Sequence, residues 1–153
     1  MRLYLRQRVL SLLGLRNYDI YDEKGQLLFV AEQQLRIPKE LRVYNAQNQH
    51  VGTVKRKLLR LQKTFVLTES ENISEEIKKI GFWKKYRFIQ RGWLARGSSF
   101  VGDFRIYSAD GAPVAVIDDG RQGCTMEITG LENNLTVLLF ALAVQRKKNS
   151  IGI

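Results

Sequence analysis

The feature that most constrains the fold is a ten-residue segment near the C-terminus, LTVLLFALAV at 135–144, in which Thr136 is the one polar residue. Apolar side chains would cover every side of a helix formed here, so that helix must be surrounded by other structure. Ten helical residues extend about 15 Å, which is roughly half the hydrocarbon thickness of a bilayer. The segment therefore predicts a helix buried inside a folded protein rather than a membrane span.

The flanking residues predict where this helix begins and ends. Asn133 or Asn134 can cap its N-terminus, and the three cations at 146–148 complement the dipole at its C-terminus. We therefore predict the helix over about 133–147.

Elsewhere the chain repeats a pattern of a short apolar run, a tyrosine, and then a glycine or asparagine four residues later. The three copies are YDIYDEKGQLLFV at 18–30, LRVYNAQNQHVGTV at 41–54 and FRIYSADGAPVAVI at 104–117. Gly25, Asn48 and Gly111 tolerate the positive φ that tight hairpin turns require. Each copy predicts two antiparallel strands joined by a turn, and TESENIS at 68–74 supplies a further turn.

Segments that mix cations with apolar residues also recur. They are LRQRVLSL at 5–12, VKRKLLRLQKTFVL at 54–67 and IKKIGFWKKYRFIQ at 77–90. Together with the hairpins they indicate five or six two-strand units, mostly antiparallel neighbours. Val54, Leu58, Leu61 and Phe65 also have helical spacing, which leaves open a basic amphipathic helix lying on a membrane.

Strands that must enclose a wholly apolar helix indicate a closed or nearly closed antiparallel β-barrel. Closure would also remove exposed strand edges. A chain of 153 residues suits one domain. We therefore predict a single mainly-β domain over 1–153.

The residue pattern also resembles a known family. The opening basic phrase, the Tyr-Asp-x-x-Gly hairpin, the Lys-Arg-Lys-Leu-Leu segment and the apolar C-terminal helix are similar to the LURP-one-related family. That family shares a fold group with the tubby C-terminal domain and the phospholipid scramblases. Over almost the whole chain, the resemblance implies a tubby-like barrel of twelve strands around a central helix. Tubby-like relatives bind phosphoinositide headgroups through basic residues on the barrel wall, and some are linked to DNA.

Net charge is the strongest indication of function in the composition. The chain carries +10, with a pI of about 9.9, which favours nucleic acid, acidic lipid or an acidic protein face as partner. Two segments, 55–63 and 78–96, concentrate lysines and arginines and contain no acid. The sequence therefore predicts a basic barrel face.

The candidate contacts on that face come from these two basic segments. The predicted anion-binding residues are Lys55, Lys57, Lys78, Lys79, Lys84, Lys85 and Arg56. Lys55 and Lys57 share one face of a strand, whereas Arg56 faces the other side. The alternative is a solvated basic surface that binds nothing in particular.

Aromatic residues lie within the second basic segment. Trp83, Tyr86 and Trp93 suit a membrane interface or base stacking if they are exposed. The other interpretation is that they are turned into the core.

Candidate catalytic groups are few. His50 is the single histidine and is expected in a solvent-facing turn, while Cys124 is the single cysteine. Asp118 and Asp119 would point to opposite faces of a strand, and a hairpin turn is favoured for them. We predict no enzyme, no metal and no cofactor. One cysteine also fits a reducing compartment, so we expect the cytoplasm.

The sequence thus predicts a non-catalytic module that binds anionic lipid headgroups or phosphorylated ligands, in the cytoplasm or peripherally at a membrane, with no transmembrane segment. Nucleic-acid binding by the same cations is the alternative, and a structural or protein-interaction role is the third. Nothing in the sequence indicates an oligomeric state.

Overall fold

The protein, seen in a computed structural model, consists in its described part of twelve β-strands, one 3₁₀ turn and one α-helix. The structure describes residues 1–8, 15–70, 73–81, 84–98, 103–120 and 123–145. The strands are β1 (Arg2–Gln7), β2 (Asn17–Tyr21), β3 (Leu27–Gln34), β4 (Glu40–Asn45), β5 (His50–Arg56), β6 (Thr64–Ser70), β7 (Ile73–Lys79), β8 (Lys85–Phe88), β9 (Leu94–Gly97), β10 (Phe104–Tyr107), β11 (Pro113–Asp119) and β12 (Cys124–Ile128). The 3₁₀ turn is Leu131–Asn133, and α1 is Asn134–Val144.

The strands form one closed antiparallel barrel. Each strand pairs with its neighbours in the sequence, and β1 closes the ring on β12 with Leu3 opposite Met126. The helix α1 lies within this ring, since Val137, Leu138 and Leu139 on successive sides are all fully buried. The predicted barrel of about twelve strands around an apolar C-terminal helix is confirmed.

Aromatic side chains from the wall hold the helix in place. The ring centroid of Phe140 lies 5.7 Å from Tyr86, 5.2 Å from Phe88 and 5.3 Å from Phe104. These distances are typical of attractive aromatic pairs. Strands β8 and β10 thus pack against one residue of α1, which makes Phe140 the centre of the core.

The three predicted hairpins are confirmed as β2–β3, β4–β5 and β10–β11. Their turns depend on backbone that most side chains avoid: φ is 78° at Gly25, 62° at Asn48 and 89° at Gly111. Gly and Asn adopt this left-handed conformation at the lowest cost, which explains their spacing in the sequence.

The alternative helix over 54–65 is wrong. Val54 belongs to β5 and Phe65 to β6, and both are buried on the inner face. The Lys57 N–H donates to the Thr64 carbonyl at 2.9 Å and closes the connection between the two strands. Ladder pairing on both sides of β5 satisfies its backbone, so the helical spacing has no structural effect.

The helix is shorter than predicted in its described part. It begins at Asn134, and Gln145 is already extended, with ψ of 132°. Asn133 is the N-cap residue, as predicted, but its side chain makes no cap hydrogen bond, because its amide donates instead to the Thr129 carbonyl at 2.9 Å. Residues 146–148 lie outside the described residues.

The barrel has two unlike ends. Short turns at 22–26, 46–49 and 108–112 lie at one end, together with the start of α1, and we call it the turn end. Two loops, at 35–39 and 57–63, lie at the other end, beside the last turn of α1, and we call it the mouth. The two phrases LRQRVLSL and VKRKLLRL both begin in a strand that runs to the mouth, β1 or β5.

Candidate anion-binding site

Strand β5 sends its last cations to different surfaces. Val54 is buried in the barrel, so alternation directs Lys55 to the outer wall and Arg56 to the inner side at the mouth. Lys57 follows on the outer side. The prediction that Lys55 and Lys57 share a face while Arg56 faces away agrees with this arrangement.

On the outer wall an acid lies between two of the predicted lysines. The Nζ atoms of Lys57 and Lys78 lie 3.3 Å and 3.6 Å from the Glu76 carboxylate. Burial by itself would raise the pKa of Glu76, but the hydrogen bond and charge of Lys57 and then Lys78 outweigh it and lower that pKa. Lys57 and Lys78 are therefore partly neutralised before any ligand arrives.

The remaining predicted lysines do not converge with them. Lys79 lies on the inner side at the mouth, where its N–H donates to the Lys63 carbonyl at 2.9 Å. Lys84 lies at the rim beside Gly97, whose N–H donates to the Lys84 carbonyl at 2.6 Å. Lys85 points to the outer wall, opposite Arg96. The seven predicted residues therefore do not form one site: Lys78 and Lys85 belong to one basic surface, Arg56 belongs to another, and the other four lie outside both.

The first surface is a row of cations across neighbouring strands of the outer wall. The outer-wall row consists of Lys78, Lys85, Arg87, Arg96 and Arg105. Register places Lys78 opposite Arg87, and Arg96 between Lys85 and Arg105. Like charges directly opposite each other on a sheet are destabilising, so this row lacks a structural explanation.

The second surface is an open cleft of about 200 Å³ at the mouth. The mouth cleft is lined by Arg16, Gln33, Lys39, Glu40, Leu41, Val54, Arg56, Lys63, Phe65, Leu142, Ala143 and Gln145. Its floor is apolar and comes from the barrel wall and the end of α1, while its rim is cationic. Such a site suits a ligand with one anionic and one apolar part.

The surroundings of Lys63 show how positive charge accumulates in this cleft. Its ammonium lies 5.5 Å from the centre of the Phe65 ring, a cation–π arrangement. Desolvation, and then the charges of Arg56, Lys79 and Arg16, lower the pKa of Lys63. The mouth therefore holds an excess of positive charge that an anion would relieve.

The acid in the cleft is already engaged. Glu40 is buried, and its carboxylate lies 3.1 Å from Arg36 Nη1 and 3.6 Å from Arg42 Nε. In the part of the chain that the structure describes, Arg16, Arg56 and Lys63 have no ion pair. Glu40 thus organises the β3–β4 loop rather than neutralising the cleft.

The helix end gives these cations a structural role that must be weighed. Arg16 Nη1 donates to the Gln145 carbonyl at 3.3 Å, just beyond the last turn of α1. A helix C-terminus carries about half a negative charge. Arg16 alone satisfies that charge, so Arg56 and Lys63 remain in excess.

Sequence reasoning missed Arg16, Lys39 and Lys63. Arg16 precedes β2 and Lys63 precedes β6, and no local motif marks them, because they meet only when the barrel closes. The alternation that separates Lys55 from Arg56 was the one available signal.

The aromatic residues of the second basic segment belong to the core. Tyr86 and Trp93 are buried, so their predicted role at an interface or in base stacking is wrong, and their interpretation as core residues is confirmed. Trp83 lies outside the described residues.

Comparison with known proteins agrees with the geometry. An X-ray structure of a protein from Arabidopsis thaliana has the same fold, with a TM-score of 0.60 and 13% identity over 93% of this chain and 89% of that one. No curated protein matches the chain. A family model described as LURP-one-related matches residues 1–144. The chain belongs to the LURP-one-related family.

In this LURP-one-related protein the single histidine lies far from the cleft. His50 opens β5 at the turn end, where its Nε2 lies 2.8 Å from Thr53 Oγ1. Cys124 is a buried thiol at the start of β12. Asp118 and Asp119 are the last two residues of β11, with Asp118 exposed and Asp119 half-buried, so the prediction that they lie in a hairpin turn is wrong. Among the described residues, no helix is long and apolar enough to cross a membrane.

Proposed function

We propose that this LURP-one-related protein is a non-catalytic module that binds phosphate-bearing anions, from a lipid headgroup or a free phosphorylated molecule, in the mouth cleft. One observation carries the proposal: Arg16, Arg56 and Lys63 converge on one open cavity without an acidic partner among the described residues. Burial is the main cause of the lowered pKa of Lys63, and the charges of Arg56, Lys79 and Arg16 add to it.

The magnitudes favour a ligand over a purely structural role. The helix end needs about half a positive charge, whereas four cations, Arg16, Lys39, Arg56 and Lys63, line the cleft around it. A hydrogen bond from a cation to phosphate contributes about 1.5 to 3 kcal/mol. Two such contacts, from Arg56 and Lys63, together contribute about 3 to 6 kcal/mol, which corresponds to binding in the range from millimolar to tens of micromolar when the cleft is preformed.

The test is calorimetry with soluble probes. Pyrophosphate and inositol trisphosphate are titrated into the wild type, into Arg56→Gln/Lys63→Gln, and into Arg87→Gln/Arg96→Gln. The third protein is the matched control, because it loses the same charge from the outer wall. We expect the mouth variant to bind roughly tenfold or more weakly per lost contact, and the control to bind as the wild type does.

Two results would overturn the proposal. Equal weakening in both variants would show that only net charge matters. The absence of binding of either probe to the wild type at low salt would leave the cleft without an anion. Tighter binding of inositol trisphosphate than of pyrophosphate would favour a lipid headgroup over free phosphate.

A second function is favoured by the outer-wall row. Arg96 lies between Lys85 and Arg105 in register, so three cations on adjacent strands are held side by side. Neighbouring strands are about 4.8 Å apart, a spacing that a flexible single-stranded nucleic acid can follow with successive phosphates. We propose nucleic-acid binding on this wall as the alternative to the mouth cleft.

Salt dependence distinguishes the two functions. Affinity for a fluorescent single-stranded DNA is measured against salt for the wild type and for Arg87→Gln/Arg96→Gln/Arg105→Gln. Three lost phosphate contacts should reduce the slope of log affinity against log salt by about 2. An unchanged slope would remove the outer-wall row from consideration, and Arg56→Gln/Lys63→Gln is the matched control.

A further inference from the structure

Two loops at the mouth expose apolar side chains almost completely. The exposed fraction is 76% at Leu35 and 90% at Ile37 in the β3–β4 loop, and 104% at Leu59 and 108% at Leu61 in the β5–β6 loop. Among the described residues, these are four of the five most exposed large apolar side chains. Water contact on this scale has no stabilising role in the folded barrel.

The two loops are neighbours. Strands β4 and β5 lie between them and pair with Glu40 opposite Lys55, so both loops leave the same part of the rim. We call residues 35–39 and 57–63 the apolar loops. Cations alternate with the apolar residues in both of them: Arg36 and Lys39 in the first, and Lys57, Arg60 and Lys63 in the second.

Leu59 has an unusual backbone as well as an exposed side chain. Its φ is 57°, in the left-handed region that Gly and Asn adopt readily and leucine does not. Packing of the side chain does not offset this strain, because the side chain is fully exposed. Neither local conformation nor the core explains a leucine at this position.

The occupant that fits is a bilayer surface. The apolar side chains lie on two separate loops and are almost fully exposed, so they do not form an apolar groove for a protein partner. Leucines between cations match the membrane interface, where apolar side chains enter the acyl boundary and cations meet the anionic headgroups. The turn end has the opposite character, with Asp22, Glu23, Asp110 and Glu132 in or beside its turns.

We propose that the protein docks on anionic bilayers with its mouth facing the membrane, the leucines of the apolar loops in the interface and the mouth cleft above the headgroups. This inference rests on the proposed function, since it gives the cleft a phosphate supplied by lipid. It adds an orientation and a second contribution to binding, which is apolar and insensitive to salt.

The experiment uses vesicles of phosphatidylcholine with about one third phosphatidylserine, beside vesicles of phosphatidylcholine alone. Sedimentation is compared for the wild type, for Leu59→Asn/Leu61→Ser, and for Leu131→Ser. Leu131→Ser is the control, because Leu131 is also an exposed leucine, with an exposed fraction of 75%, but lies at the turn end. Thermal melting and pyrophosphate calorimetry accompany each variant.

We expect the loop variant to partition roughly tenfold or more weakly onto the anionic vesicles, and the Leu131→Ser protein to bind as the wild type does. Pyrophosphate binding should be the same in all three. The melting temperature of the loop variant should not fall, since asparagine suits the backbone at position 59 better than leucine does.

Tryptophan fluorescence tests the contact between the apolar loops and the bilayer directly. In Leu59→Trp, tryptophan emission should move to shorter wavelength with anionic vesicles and be quenched by brominated lipid, whereas Leu131→Trp should show neither effect. The inference is overturned if the loop variant binds vesicles like the wild type, or if its only effect is to abolish self-association. Failure of pyrophosphate binding, with vesicle binding still dependent on the leucines, would instead overturn the proposed function.

Discussion

The two ends of the helix meet opposite charges inside the same barrel. At the turn end, the Thr136 hydroxyl donates to Glu69, and Glu75 is buried nearby. At the mouth, Arg16 and Lys63 surround the last turn of α1. Acids beside a helix N-terminus and cations beside its C-terminus both follow the direction of the helix dipole.

The difference lies in how fully each set is paired. The Arg91 N–H donates to Glu75 at 2.9 Å, and the Arg91 guanidinium lies 3.4 Å from Glu69. The acids of the turn end thus have protein partners, whereas Arg56 and Lys63 have no acidic partner among the described residues. One end pairs its charges within the protein, and the other leaves two cations without an acidic partner in the part of the chain that the structure describes.

The largest expected effect comes from Phe140, which lies in the middle of α1 between the two ends. Phe140→Ala removes a fully buried ring that contacts Tyr86, Phe88 and Phe104, and should lower the free energy of unfolding by about 3 to 5 kcal/mol. Urea denaturation measures it, with Phe140→Leu as the milder control. A loss below about 1 kcal/mol would mean that the helix does not connect the two ends.

A turn-end substitution should separate stability from binding. Asn45 Oδ1 accepts the N–H groups of Gln47 at 3.0 Å and Gln49 at 2.9 Å. Asn45→Ala should therefore cost about 1 kcal/mol, seen as a lower melting temperature, while pyrophosphate binding stays unchanged. The mouth variant Lys63→Gln should weaken pyrophosphate binding and leave the melting temperature unchanged. If both substitutions changed both properties, the division between the two ends would be wrong.

The sequence predicts the barrel better than the site, for a physical reason. Turn chemistry is local, so Gly25, Asn48 and Gly111 mark three hairpins, and the composition of 135–144 requires an enclosure. A cleft is not local. Arg16 and Lys63 are far apart in the chain, and the folded barrel brings them to one cleft.

Within the site, the alternation of side chains along β5 predicts part of the arrangement. It separates Arg56 from Lys55, but it does not show that Glu76 occupies the space between Lys57 and Lys78. Nor does charge counting distinguish an exposed leucine from a buried one. The exposure of Leu59 and Leu61 depends on where β5 ends, which the helical spacing of 54–65 obscured.

The smallest expected effect is a pH dependence at the turn end. Burial raises the pKa of Glu75 from its ordinary 4.5, against the lowering effect of Arg91. The folded protein therefore holds this proton to higher pH than the unfolded chain does. Ionised Glu75 lowers stability, increasingly as pH rises from 4.5 through the raised pKa.

In Glu75→Gln the amide oxygen can still accept the Arg91 N–H. The melting temperature of the variant, relative to the wild type, should therefore increase from acid to neutral pH. Asp110→Asn is the contrasting control, because hydrogen bonds from Ser108 and the Ala112 backbone lower the pKa of Asp110. That carboxylate stabilises the fold at neutral pH and ceases to do so in acid. If the difference in melting temperature between Glu75→Gln and the wild type did not change with pH, burial would not be raising the pKa of Glu75.

The pairing of Leu3 with Met126 has a consequence for how the chain folds. Every other strand contact joins sequence neighbours, so eleven hairpin ladders can form as the polypeptide leaves the ribosome. The last ladder and the helix can form only after β12 and α1 have been synthesised, and until then the edge of β1 is exposed to other chains. We expect ring closure around the arriving helix to limit the folding rate, since long-range pairing is the slow step in β proteins.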